Sequence, residues 1–109
     1  MGSVLNTIKQ MIGIHPDYKQ FDNAITGHIN SVLMILRQLG IGPETPKSVT
    51  SDLDTWENII GDVSNIEAVK TYMALKVQLL FDPPSSSFVL EAKNRQAAEL
   101  EWRLNVQVD

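Results

Sequence analysis

Residues 66–87 read IEAVKTYMALKVQLLFDPPSSS, and the fold class follows from how this stretch begins and stops. Ile66, Val69, Met73, Val77 and Leu80 recur at helical spacing, and Ala68, Tyr72, Leu75 and Leu79 form a second stripe beside them. Two adjacent stripes make an apolar face wide enough for two neighbouring helices, with Lys70, Lys76 and Gln78 left for water. Pro83 and Pro84 cannot continue the helix, because each lacks an N–H and clashes with the preceding turn. Ser85–Ser87 supply the next N-cap, and a last helix is expected from about Phe88 to Asn105. A connection this short folds the two helices back as an antiparallel hairpin.

Upstream the same logic gives more helix. Ser3 caps a short first helix with Val4, Leu5, Ile8 and Ile12 as its stripe, and Gly13 ends it. Asp22 is the expected N-cap of a second helix running to about Leu39. Ile25, Ile29, Val32, Leu36 and Leu39 share one face of it, while Leu33, Met34 and Ile35 fill others. This predicts a central helix with neighbours on several sides. Gly40 and Gly42-Pro43 end it. Residues 43–54 read as a loop in which Lys47–Thr50 has the composition of a short strand, without a clear partner. Asp54 or Thr55 starts a short helix through Trp56, Ile59 and Ile60, closed by Gly61, with Trp56 as a core anchor for the loop. Asn65 or Ser64 caps the helix quoted above. In the last helix, Val89, Ala92, Gln96, Leu100 and Arg103 share one face, with Leu90, Ala97, Leu104 and Trp102 on others. Val106–Asp109 alternates like an extended tail. The fold class is all-α, four to five helices with a C-terminal helical hairpin and one acidic loop, in one domain over residues 1–109.

Composition narrows the function. The 109 residues contain no cysteine, which excludes disulfides and thiolate metal sites and suits a reducing compartment. The start lacks the layout of a signal peptide, and Val32–Leu36 is too short an apolar run to span a bilayer, so a soluble, intracellular protein is expected. The net charge of -4 is concentrated. Residues 41–65 set Lys47 against Glu44, Asp52, Asp54, Glu57 and Asp62, while the segments on either side nearly balance. No Lys/Arg cluster offers the footprint of stable DNA binding.

Candidate chemistry is sparse. His15 and His28, thirteen positions apart and without cysteine or a helical Glu-x-x-His pattern, do not form a metal set. The acids of the central loop lack EF-hand spacing, so a solvated acidic loop is the expected reading. Glu91, Lys93, Arg95, Glu99, Glu101 and Arg103 mix signs, as a salt-bridged face or a polar subunit interface does; a major-groove recognition helix would be distinctly basic. No nucleophile motif is present, and neither an enzyme nor a cofactor is expected.

The segments FDNAITGHINSVLMILRQLGIGP, TWENIIGD and IEAVKTYMALKVQLLFDPPSSSFVLEAKNRQAAELEWRLNV, taken together, resemble the head–tail connector (head-completion adaptor) family of tailed siphophages and Gram-positive prophages. The resemblance covers nearly the whole chain and rests on fold signatures rather than catalytic motifs. It implies a small helical protein of the virion neck, assembled in the host cytoplasm, forming a ring of about twelve copies that matches the portal's symmetry. Such a ring binds beneath the portal after DNA packaging, extends the exit channel, and docks the next stopper or tail protein. Genomic DNA passes through without specific binding, and a mildly acidic chain suits that. On this reading Tyr72, Leu79, Phe81, Phe88, Ala92, Arg95, Glu99 and Arg103 are expected at subunit interfaces. Trp102, Asn105, Val106, Gln107, Val108 and Asp109 are expected against the portal, and Glu44, Asp52, Asp54 and Glu57 toward the lumen or next connector. The alternative is a small helical regulatory or scaffolding module acting by helix-in-groove contacts, which would stop at a monomer or dimer.

Overall fold

A computed structural model describes residues 2–43, 47–61, 63 and 65–107. Five helices follow in order: α1 (Val4–Met11), α2 (Asp22–Gln38), α3 (Trp56–Ile59), α4 (Ile66–Phe81) and α5 (Ser87–Gln107). The all-α class expected from the sequence is observed, and no strand occurs among the described residues. α4 is the central element: it packs on α2 and on α5, and α1 lies across both α2 and α4. Its burial explains this, since Val69, Tyr72, Met73, Ala74, Leu75 and Val77 are all buried, a broad face that leaves Glu67, Thr71 and Leu80 exposed. α2, expected to be surrounded, is not. Ile25, Ile29, Val32 and Leu36 form one buried row, but Met34 on the outer flank is 63% exposed. Shape reflects the layering, with extents of 36 × 32 × 18 Å.

Local chemistry sets the ends. Ser3 Oγ accepts the Asn6 N–H at 3.2 Å, the expected cap of α1. Gly13, at φ 89°, takes the left-handed conformation that lets the chain leave the helix. Thr55 rather than Asp54 caps α3, through Asn58 N–H at 3.2 Å. Asp22 lies in the first turn of α2 rather than at its N-cap, which is Phe21. Its carboxylate is occupied by Lys9, whose side chain is fully buried although α1 exposes neighbouring positions. Lys9 Nζ donates to Pro16 O (2.9 Å), Tyr18 O (2.7 Å) and lies 2.7 Å from Asp22 Oδ1. Two ammonium protons therefore have carbonyl acceptors and the charge is paired with the Asp22 carboxylate, which is what makes burial of this charge tolerable. The cation joins α1, the 14–21 loop and the start of α2.

Lys47–Thr50 does not form a strand. Instead Asn30, from α2, pairs with the backbone of Val49 as a strand neighbour would: Val49 N–H donates to Asn30 Oδ1 (2.8 Å) and Asn30 Nδ2 donates to Val49 O (3.0 Å). This fixes the loop and buries Val49. Trp56 is buried as expected, its Nε1 donating to Thr7 Oγ1 at 3.2 Å. An isolated antiparallel bridge between Ser3 and Thr55 closes the other end of the loop on the N-terminal segment.

At the hairpin, Ser86 Oγ accepts the Val89 N–H at 3.4 Å. α5 begins at Ser87 and continues through Gln107, so Val106 is helical and not part of an extended tail; Val108 and Asp109 lie outside the described residues. The structure decides which face of α5 is turned to the core. Ala97 and Leu104 are buried, with Leu90, Lys93, Leu100 and Glu101 half-buried, while Val89, Ala92, Gln96 and Arg103 face water. Both rows have helical period, and only the side chains available on α4 decide between them.

Replacing Lys9 by alanine leaves Asp22 and two carbonyls without their cation. We expect a loss of about 3–5 kcal/mol in chemical denaturation, the range for breaking a buried ion pair from one side. The Lys9→Met/Asp22→Leu double variant recovers only part of that loss, because Pro16 O and Tyr18 O stay unpaired.

Candidate functional site

Three surface features stand out from the packing. The first is the outer face of α5. Phe88, Ala92, Arg95, Glu99, Trp102 and Val106 alternate at spacings of four and three, which aligns them along one side of the helix. All six are exposed, and Phe88 (71%), Trp102 (67%) and Val106 (53%) are large apolar groups in water. Two ion pairs run along the same helix, Arg95–Glu91 at 3.3 Å and Arg103–Glu99 at 2.8 Å. Exposed i,i+4 pairs of this kind contribute about 0.3–0.5 kcal/mol each and neutralise the surface between the aromatics. Of the residues expected at subunit interfaces, Phe88, Ala92, Arg95, Glu99 and Arg103 are thus brought together on one free helix.

The remaining three are not. Tyr72 is fully buried and its hydroxyl donates to Glu101 Oε2 at 2.7 Å, so in this conformation it offers nothing to another chain. It locks α4 to α5, and Lys76 Nζ approaches the same carboxylate at 3.9 Å. Burial and the neighbouring Glu101 carboxylate push the Tyr72 phenol well above its ordinary value. Leu79 is half-buried. Phe81 is half-buried and edge-on to Phe21 (5.2 Å) and His28 (6.4 Å), in a row that Tyr18 extends.

The second feature is the acidic loop. Glu44 and Asp62 lie outside the described residues. Asp54 works within its own turn: its Oδ2 accepts Thr50 N–H (2.8 Å), Ser51 N–H (3.2 Å) and Thr50 Oγ1–H (3.2 Å). The Thr50 and Ser51 amides hold its pKa below the ordinary carboxylate value. Asp52 pairs with Lys19 at 3.3 Å, and Glu57 is exposed. No group of three or more potential metal ligands occurs among the described residues. His15 Nδ1 accepts the Asp17 N–H at 3.1 Å and stands far from any such set.

The third feature is a groove of about 250 Å³ along the outer flank of α2, closed by residues 41–43, 47–48 and 59–60. Gly27 is part of its wall. A Cβ added there would meet nothing within 4 Å, and its backbone is ordinary helix, so the packing of this chain does not require glycine. No helix among the described residues is long and apolar enough to cross a membrane.

The outer face of α5 thus displays large apolar side chains to water, and no group of potential metal ligands occurs among the described residues. The sequence matches the phage connector protein family over residues 4–109. This chain belongs to the phage connector protein family. That identity agrees with the expected head–tail connector resemblance, and the family is a structural one. No curated protein and no solved structure matches the connector.

Three parts of the connector's surface chemistry were not anticipated from the residues: the Tyr72–Glu101 lock, the Asn30–Val49 pairing and the α2 groove. Tyr72 and Glu101 stand on separate helices, and only the hairpin register brings them together. Asn30 carried a signal, as a polar residue between Ile29 and Val32 on a largely apolar helix. Gly27 carried another, mid-helix where alanine is favoured.

Two outcomes test these assignments. Gly27→Ala stabilises the isolated connector by about 0.5–1 kcal/mol in thermal unfolding, because helix propensity improves without a clash. Tyr72 is held protonated in the fold, so its contribution is complete below the ordinary phenol value of 10.0 and is lost as pH rises above it toward the raised folded value. Tyr72→Phe lowers stability at neutral pH by about 1–2 kcal/mol and loses that alkaline limb, measured as the melting temperature between pH 8 and pH 11.

Proposed function

We propose that this connector forms a ring beneath the portal after DNA packaging, extends the exit channel, and docks the next stopper or tail protein. The observation that carries the reading is the outer face of α5. A 21-residue helix that packs principally on one neighbour presents three large apolar side chains in a row. Monomeric proteins rarely leave an aligned apolar row in water, and aromatic anchors are the groups on which protein interfaces depend. The row and the elements packed behind it are distinct surfaces, as a head-to-tail ring requires.

Charge supports the channel. With a net charge of -4 and no basic cluster, the connector does not grip phosphates, and packaged DNA slides past it. Asp52 and Glu57 lie on the loop that would face the lumen or the next protein, whereas Asp54 is committed to its turn. Asn105, at the end of α5, extends toward the portal.

The test is affinity purification of the tagged connector from host cells producing the phage, with mass spectrometry and negative-stain imaging. The portal and a second neck protein are expected to co-purify as rings or neck complexes. Recovery of only a host regulatory complex, with the connector monomeric or dimeric, would establish the small regulatory module instead. Duplex DNA should not be retained by the purified connector at low salt, and salt-sensitive retention would count against the channel.

A further inference from the structure

The α2 groove and the end of α5 are complementary surfaces on opposite flanks of one molecule. α4 stands between α2 and α5, so the outer flank of α2 and the outer face of α5 look away from each other. The groove has an apolar floor of Leu33, Ile41 and Ile60, and a rim of Met34, Arg37 and Lys47. Both rim cations are exposed, and neither has an ion pair among the described residues. Across the molecule, α5 ends without a basic residue in its last turn. Its terminal carbonyls therefore carry the equivalent of about half a negative charge that nothing on the helix offsets. Trp102 and Val106 project from that same end.

We propose that the groove receives the C-terminal end of α5 from a second copy of this chain. Trp102 and Val106 of the incoming helix enter over Leu33, Ile41 and Ile60, and Arg37 and Lys47 face its last carbonyls. Charge and shape both select this occupant: an apolar cleft with unpaired cations fits an apolar helix end with an unpaired negative dipole. Gly27 adds an independent reason. The fold of the single chain leaves open space above it, yet glycine is the costliest ordinary choice inside a helix. A closely approaching helix in the groove accounts for it. Each copy then offers its α5 end to one neighbour and its groove to the other, a heterologous contact that closes into a ring when the rotation permits. The inference rests on the ring reading, and it assigns Trp102 and Val106 to the neighbouring copy rather than to the portal.

The full chain has no cysteine, so introduced thiols report cleanly. Met34→Cys and Val106→Cys are made separately, mixed across a concentration series and oxidised. Cross-linked heterodimers are expected from the mixture and from neither variant alone; a chain carrying both thiols gives a ladder of higher species. Acrylamide quenching of tryptophan falls as the wild-type chain associates, since Trp102 becomes covered while Trp56 is already buried. Arg37→Glu/Lys47→Glu shifts that association midpoint about tenfold or more to higher concentration. Gly27→Phe abolishes association while circular dichroism shows the helices intact. Rings seen by negative stain without the 34–106 cross-link would overturn this pairing and leave the ring reading standing. Absence of association at every concentration would also overturn it, and co-purification with the portal then decides the connector's role separately.

Discussion

A single buried ammonium group organises the N-terminal half of this connector. Lys9 lies on the apolar side of α1, and it can do so only because Pro16 O and Tyr18 O accept two of its protons and the Asp22 carboxylate pairs with its charge. Those acceptors come from the loop and helix that follow, so the charge dictates where the chain turns and where α2 begins. With that corner set, Val4, Leu5 and Ile8 reach Ile25 and Ile29 in one continuous core. The core then extends through α4, which buries a broad face. The arrangement is directional where hydrophobic packing alone is not: apolar stripes slide, whereas hydrogen bonds to two fixed carbonyls do not.

The core having been built this way, the surfaces left over are what the connector has for assembly. α4 absorbs one side of α2 and one side of α5. What remains free is an apolar helix face on one flank and an apolar groove with two cations on the other. The family to which the chain belongs is structural.

Much of the helical layout could be read directly from the residues. The Pro83-Pro84 stop, the Ser3 cap and the glycine ends of α1 and α2 are local signals, and local signals survive folding. What could not be read is which of two equally periodic faces turns inward. On α5 the row of Ala97 and Leu104 is buried and the row of Val89, Ala92 and Gln96 is not, and periodicity scores them alike. Tyr72, expected at a subunit interface, is buried in the single chain for the same reason: its placement depends on Glu101, twenty-nine positions away. Lys9 was legible in part, since it sits four residues after Leu5 on the buried stripe, a place where lysine needs an unusual partner. Asn30 shows the opposite limit, because a side chain that substitutes for a strand leaves no strand signature in its own sequence.

The Ser3–Thr55 bridge has a consequence for how the chain folds as it is made. It joins segments about fifty residues apart, and the loop it closes must be ordered before the bridge returns any stabilisation. The α4–α5 hairpin, by contrast, is built from near neighbours and needs no distant partner to form. The start of α1 is therefore among the last parts of this domain to settle. Thr7 has its partner only once Trp56 is in place, and the side of α1 that packs on α4 stays uncovered until that later helix arrives.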